Sequence, residues 1–207
     1  MKVLDCESVE TTYSSLERIL GIDRQSVESV FESLDTEEFF RDNPREQPKD
    51  LLFSIVMKKS SSEVVFDKTC WFHLTRVPQN HTFYEEGILP LGQKIDVIWG
   101  YLFSLLNIQL SREEWNDFRK NPGNTDWAGL YNRKVSNSLC WGPFAFLVKD
   151  AAFRGENSAI QHHHYLQVPE IVEDICRCFD EKYKSELLST YLANTKPCIV
   201  KFIDDAP

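Results

Sequence analysis

The chain has 207 residues, of which 42% are hydrophobic, and a formal net charge of −9 at pH 7. This length and composition predict a globular protein with one good-sized core. The negative charge argues against extensive nucleic-acid contact, because binding along a phosphate backbone relies on clustered Lys and Arg.

The composition also predicts where the protein works. No run approaches the roughly 20 apolar residues of a membrane helix, and the first residues lack the apolar segment of a signal peptide. Six cysteines are scattered through the chain and mostly lie in apolar runs. That pattern is typical of reduced core thiols rather than of a disulfide framework. We therefore expect a cytoplasmic protein that does not contact membranes.

The predicted secondary structure changes near residue 50. Residues 1–50 show helical periodicity and end in the charged, proline-containing segment 42–50, which is typical of a linker. From residue 51 onward, short β-branched runs alternate with amphipathic stripes. We expect a helical element with a linker over 1–50 and an α+β domain over 51–207.

The N-terminal element carries two helical patterns. Ser14-x-x-Glu17 is a capping-box sequence that predicts the start of the first helix, and Gly21 breaks it. A second apolar stripe at helical spacing comprises Val27, Val30, Phe31 and Leu34.

The remaining elements are intermixed without regular βαβ alternation, which favours an α+β fold with a mixed or antiparallel central sheet flanked by helices. Ser111-x-x-Glu114 opens one helix after a predicted loop boundary, and Pro169 suits the first turn of another. The segment 120–129 is expected to be a loop. Predicted strands cover 51–57, 62–66, 69–77, 139–150 (a pair or a bulged strand), 162–168 and 198–203; further helices cover 93–106 and 181–192.

Polar side chains lie at the end of the predicted strand in the stretch "CWFHLTRVPQNHTFYEEGILPLG". Because alternate strand residues share a face, His73 and Thr75 lie side by side and Arg76 lies on the other face. Imidazole and hydroxyl groups offer the donors and acceptors that suit a ribose or an amide edge. The alternative is that His73 is a satisfied core or edge histidine and Thr75 an ordinary strand residue.

The residues "FHLTRV…FYEEGILPL" resemble the opening of ADP-ribosyltransferase catalytic domains of the diphtheria-toxin and poly(ADP-ribose) polymerase type. Those domains begin with a strand carrying His-x-Thr or His-x-Ser, often with a following Arg, and continue into a Gly-Ile/Leu-Leu segment. The resemblance implies NAD as the ligand, with His73 on a hydroxyl of the adenosine ribose, Thr75 orienting the site and Arg76 as a further contact. The family commonly has Gly after the His, so the side chain of Leu74 must point away from the ligand.

The resemblance also implies a Tyr that stacks on nicotinamide and a late Glu that binds the nicotinamide ribose. Tyr131 is the candidate for the first, and Arg133 beside it is suited to a phosphate. For the second, Glu170 is preferred over Glu173 because it stands at a strand-to-helix junction. Its carboxylate could stabilise the oxocarbenium character of glycosidic cleavage. The alternatives are a half-buried anchor for Tyr131 and a helix-dipole partner for Glu170.

The run "QHHHYL" is not predicted to bind a metal. His162 and His164 would share a strand face, as a chelating pair should. If the following segment is helical, however, Cys176 and Cys178 lie about 200° apart around its axis and cannot both face one ion.

Two functions follow from these residues. One is an NAD-consuming ADP-ribosyltransferase-like protein that acts on an unknown intracellular target, such as a protein, or on NAD itself as a glycohydrolase. The other is a non-catalytic acidic interaction or immunity protein, which the charge, the aromatic content and the incomplete catalytic signature favour.

Overall fold

The computed structural model describes residues 1–33, 37, 41, 58, 60, 64–153 and 164–205. Within them the protein has an α+β fold with a three-stranded mixed sheet, which confirms the predicted class. The strands are β1 (Val3–Leu4), β2 (Lys68–Pro78) and β3 (Thr195–Asp205), in the order β1-β2-β3. β1 runs parallel to β2, so that Val3 lies opposite Lys68.

The helices differ in length from one turn to four. They are α1 (Val9–Leu20), α2 (Arg24–Glu32), α3 (Leu91–Ser104), α4 (Arg112–Lys120), α5 (Asp126–Ser136), α6 (His164–Gln167), α7 (Glu170–Tyr183) and α8 (Leu187–Asn194), with 3₁₀ turns at Ser138–Cys140 and Lys149–Phe153. Among the residues that the structure describes, no helix combines the length and apolar character that a membrane crossing requires.

The chain forms two compact units that are discontinuous in sequence. The first unit takes its described residues from Met1–Phe72, Phe146–Ala151 and Lys201–Pro207, and the second from His73–Ala145 and Ala152–Val200. β2 and β3 each pass from one unit into the other. The sequence predicted a single boundary between residues 50 and 51, whereas this division follows pairings between distant parts of the chain.

In the first unit, α1 begins earlier than predicted. Ser8 caps it, since its Oγ accepts from the Thr11 backbone N–H at 3.2 Å while the Thr11 hydroxyl accepts from the Ser8 N–H at 2.9 Å. The predicted cap at Ser14 and Glu17 was wrong, because both residues lie inside the helix. Gly21 ends α1 in the left-handed conformation (φ 69°), as predicted.

The second predicted stripe is confirmed in part. Val27 and Val30 on α2 are buried, but Phe31 is 41% exposed and Leu34 lies outside the described residues. The predicted strand over 51–57 also lies outside the described residues. Of the predicted strand over 62–66, the structure describes Val64–Phe66, which form no strand. The predicted strand pair or bulged strand over 139–150 was wrong too, since this segment forms two isolated bridges instead, Phe146 to Phe72 and Val148 to Cys6.

The second unit is held together by aromatic side chains. The Trp99 ring on α3 makes edge contacts with Trp115 at 5.0 Å, Phe118 at 5.7 Å and Tyr131 at 5.8 Å between centroids. The structure confirms the predicted capping box at the start of α4, because the Ser111 hydroxyl accepts a hydrogen bond from the Glu114 N–H at 3.1 Å. Each of these buried rings contributes about 3–5 kcal/mol relative to alanine.

Three element predictions in this unit were wrong. The segment 162–168 was expected as a strand, yet His164–Gln167 is helical. The expected loop over 120–129 gives way to α5 at Asp126, where Thr125 Oγ1 accepts from the Ala128 N–H. The single helix expected over 181–192 is interrupted, because Lys184 adopts a left-handed conformation (φ 54°).

A side chain of α7 caps the start of α8. Asp180, near the end of α7, accepts hydrogen bonds from the Leu187 N–H at 2.7 Å and the Leu188 N–H at 3.2 Å. A carboxylate at the first turn of a helix satisfies its unpaired N–H groups and complements its dipole. α8 therefore starts from a side chain of the preceding helix, which short-range sequence patterns do not reveal.

Candidate functional site

His73 lies on β2 with its ring held in one tautomer. Its Nδ1 lies 2.8 Å from the carbonyl oxygen of Phe144. A carbonyl only accepts, so Nδ1 carries the hydrogen, and Nε2 of the neutral ring is an acceptor. Burial lowers the pKa of His73 below its usual value, although the Phe144 hydrogen bond opposes this shift. The ring is therefore neutral at pH 7 and presents a single acceptor nitrogen.

The predicted face of β2 is confirmed by burial. The side chains of Phe72 and Leu74 are buried, while those of His73 and Thr75 are half-buried on the alternate face. Leu74 thus points away from that face, as an ADP-ribosyltransferase-like site would require. Neither His73 Nε2 nor the Thr75 hydroxyl forms a hydrogen bond with any residue that the structure describes.

A segment that the sequence analysis did not select, 141–144, joins His73 to the start of α3. Its Phe144 carbonyl holds His73, and its Trp141 carbonyl accepts from the Leu91 N–H at 2.8 Å. The Trp141 ring packs so closely on Gly92 that a Cβ there would lie 2.5 Å from ring carbons. The two ends of the stretch "FHLTRV…GILPLG" are therefore fixed to one short segment.

Arg76 is used inside the fold. Its guanidinium donates to the Leu166 carbonyl at 3.1 Å, the Leu192 carbonyl at 3.1 Å, and the Thr195 hydroxyl and carbonyl at 3.1 and 2.8 Å. These bonds tie β2 to α6, to the end of α8 and to the start of β3. Four engaged N–H groups leave little capacity for a ligand, so the geometry favours a structural role over the predicted ligand contact.

Tyr131, the candidate for stacking on nicotinamide, lies on the helix α5. Its side chain is 6% exposed, and its hydroxyl accepts from the Trp99 indole N–H at 3.2 Å. Its ring packs edge-on against Trp99, so Tyr131 is also part of the aromatic core. Burial raises the pKa of Tyr131, and the nearby Arg119 opposes that rise. Arg133, two residues on, is exposed on the same helix.

Glu170 is the first residue of α7. The predicted strand-to-helix junction was wrong in its first part, because the helix α6 precedes α7. Glu170 lies 3.1 Å from Lys134 Nζ. The same ammonium lies nearer to Asp174, at 2.7 Å. Asp174 is 2% exposed and Glu170 is 49% exposed, so Asp174 is the buried partner. Burial raises the pKa of Asp174, while Lys134 pulls it down.

The predicted residues therefore belong to different local networks, although all six lie in the second unit. His73 bonds to Phe144, Arg76 to the 166–195 region, Tyr131 to Trp99 and Glu170 to Lys134. The metal prediction stays untested, because His162 lies outside the described residues. Cys176 and Cys178 are both buried in α7.

A cleft of about 350 Å³ lies where Tyr131 meets α4. Its other walls are Asn116, Arg119 and Lys120, which recur at i, i+3 and i+4 and so share one face of that helix. The sequence-based predictions for this segment covered only its capping box. The signal was present, since the outward face of "WNDFRK" carries an amide and two cations together.

Comparisons with models of known families, with curated proteins and with solved structures find no match to this chain.

Proposed function

We propose that the protein is an ADP-ribosyltransferase-like protein that binds NAD through His73 and Thr75. The observation that carries the proposal is a pair of polar groups on one face of β2, an acceptor nitrogen and a hydroxyl, that form no hydrogen bond with the described part of the chain. A ribose hydroxyl can donate to His73 Nε2 and accept from Thr75 Oγ1. The neutral imidazole suits this role, because an imidazolium would have no acceptor left.

In the proposed reaction, the glycosidic bond between nicotinamide and ribose breaks and its electron pair leaves with nicotinamide. A nucleophile of an intracellular protein target then forms the new bond to the ribose carbon and loses its proton to solvent. Glu170 is the proposed carboxylate that stabilises the cationic ribose. The Glu170 side chain is 49% exposed beside Lys134, so it is accessible to a ligand.

A second candidate is a non-catalytic acidic interaction protein. Arg76 and Tyr131, two of the predicted site residues, are engaged within the fold. At the same time Leu139 is 83% exposed and Phe144 61% exposed, next to the partly exposed Trp141. Apolar side chains grouped on a surface are typical of protein-binding sites.

NAD should stabilise the folded protein if the proposal holds. At an NAD concentration about 100 times Kd, the free energy of unfolding should rise by about 2.7 kcal/mol. His73→Ala should abolish most of this rise because it removes the ribose acceptor. His81→Ala is the matched control, since His81 is exposed in the loop after β2. Thermal unfolding with and without NAD measures the effect.

Nicotinamide release separates the enzyme from the binding protein. Glu170→Gln should retain NAD binding but lose roughly 100-fold in release, because it removes the charge without changing the volume. Glu173→Gln should release nicotinamide at the wild-type rate. NAD binding without release in the wild type would leave a binding protein, and no NAD binding would leave the interaction protein.

A further inference from the structure

The cleft beside Tyr131 is walled by hydrogen-bond donors. Arg119 contributes a guanidinium, Lys120 an ammonium and Asn116 an amide. In a chain with a net charge of −9, two adjacent cations and a phenol around one cleft form a local exception. Such a combination suits an anion.

The Tyr131 hydroxyl supplies the second observation. Its side chain is more than nine-tenths buried, and its oxygen accepts from the Trp99 indole N–H. The hydroxyl hydrogen has no acceptor among the residues that the structure describes. A buried O–H without an acceptor costs about 1–3 kcal/mol unless something else receives the hydrogen bond. Because Tyr131 lines the cleft, an acceptor oxygen bound there could receive this hydrogen bond.

The existing ion pairs leave donors free in the cleft. Arg119 pairs through Nη2 with the exposed Asp96, and Lys120 lies 3.2 Å from the exposed Asp117. A guanidinium has five N–H groups and an ammonium three, so each cation retains donors. Pairs at this exposure are weak and are readily exchanged for a ligand.

We infer that this cleft binds the phosphate group of a small phosphorylated molecule. A phosphate offers three acceptor oxygens to the convergent donors, more than a carboxylate can. The volume of about 350 Å³ falls at the lower end of the small-molecule range of roughly 300–1,000 Å³. The cleft therefore has room for an organic group as well as the phosphate. The inference does not depend on NAD binding at His73.

The structural alternative is that Arg119 and Lys120 simply complement the dipole at the end of α4. That explanation accounts for the two charges. It does not account for a buried phenol at the same place whose hydrogen has no acceptor within the described ranges. The two explanations differ in whether Tyr131 and Lys120 act together on an added ligand.

Titration of the full-length protein with glycerol 3-phosphate tests the inference. The reporter is the Trp99 indole N–H signal in a ¹H–¹⁵N spectrum, because this group donates to the Tyr131 oxygen. We expect a saturable shift with glycerol 3-phosphate and none with glycerol at matched ionic strength. Inorganic phosphate should shift the same signal more weakly, because it lacks the organic group; equal affinity would identify free phosphate as the source.

Variants decide whether the cleft is responsible. Lys120→Gln and Tyr131→Phe should each weaken binding about tenfold, the effect of losing a hydrogen bond to a charged group. Lys196→Gln, which removes an exposed cation on β3, should leave the affinity unchanged. If Tyr131→Phe does not fold, Lys120→Gln alone decides. An absent shift, or one that Lys120→Gln leaves intact, would overturn the inference whatever NAD does.

Discussion

Replacing Lys134 with methionine should destabilise the protein by about 3–5 kcal/mol at pH 7, because it leaves the buried Asp174 carboxylate without its cation. Methionine keeps the length and apolar character of the lysine stem, so the loss reports on charge rather than on packing. Urea unfolding of the wild type and the variant measures the difference. Lys94→Met is the matched control: its partner Glu86 is 59% exposed, and the change should cost less than about 1 kcal/mol.

The pH dependence of this effect has a definite sign. Burial raises the pKa of folded Asp174 above its unfolded value, so the folded form binds the proton more readily. Stability from this group is lost as pH rises from the unfolded pKa through the folded pKa. Because Lys134 lowers the pKa of Asp174, its removal should raise the folded pKa further, and the penalty of Lys134→Met should shrink as pH falls toward the unfolded pKa. Adding Asp174→Asn should restore much of the stability, and a penalty that is constant with pH would contradict this account.

Replacing Arg76 with methionine should cost about 3–5 kcal/mol, since four acceptors on three elements lose a charged donor together. Arg76→Lys should recover only part of this, because an ammonium cannot span the same acceptors as the planar guanidinium. Urea unfolding again gives the values.

Arg177→Met serves as the control for Arg76. Arg177 pairs with Glu173 at 3.3 Å on the surface of α7, so its loss should cost about 1 kcal/mol or less. If Arg76→Met were as mild as this control, the guanidinium would be free for a ligand, and the sequence-based assignment of Arg76 to the site would regain support.

Local signals predicted much of the fold. Gly21 at the end of α1, the Ser111–Glu114 cap of α4 and the alternation along β2 each act within a few residues, and the structure confirms them. The failures have distant causes. The break between α7 and α8 depends on Asp180 reaching forward to Leu187. The bridge between Phe146 and Phe72, which replaces the predicted strand pair over 139–150, joins distant parts of the chain that no local pattern connects.

In the candidate site, too, the features set by local patterns were predicted, and those set by distant contacts were not. Strand alternation was enough to place His73 and Thr75 on one face and Leu74 on the other. The partners of Arg76 lie 90 to 119 residues away in sequence, so its structural use could not be foreseen. Tyr131 was expected beside a ligand, and it does border a cleft, but the cleft's other walls come from α4.

The central claim, that His73 receives a ribose hydroxyl of NAD, is tested most directly by ¹⁵N NMR of the histidine side chains. His73→Gln assigns the signal, and free protein at pH 7 should show a neutral ring protonated on Nδ1. On titration with NAD, the Nε2 resonance should move as it accepts a hydrogen bond, while Nδ1 stays bonded to the Phe144 carbonyl. Two results would contradict the claim. One is that NAD binds, as seen by thermal unfolding, but leaves the His73 resonances unchanged at saturation. The other is that NAD does not bind at all up to millimolar concentration.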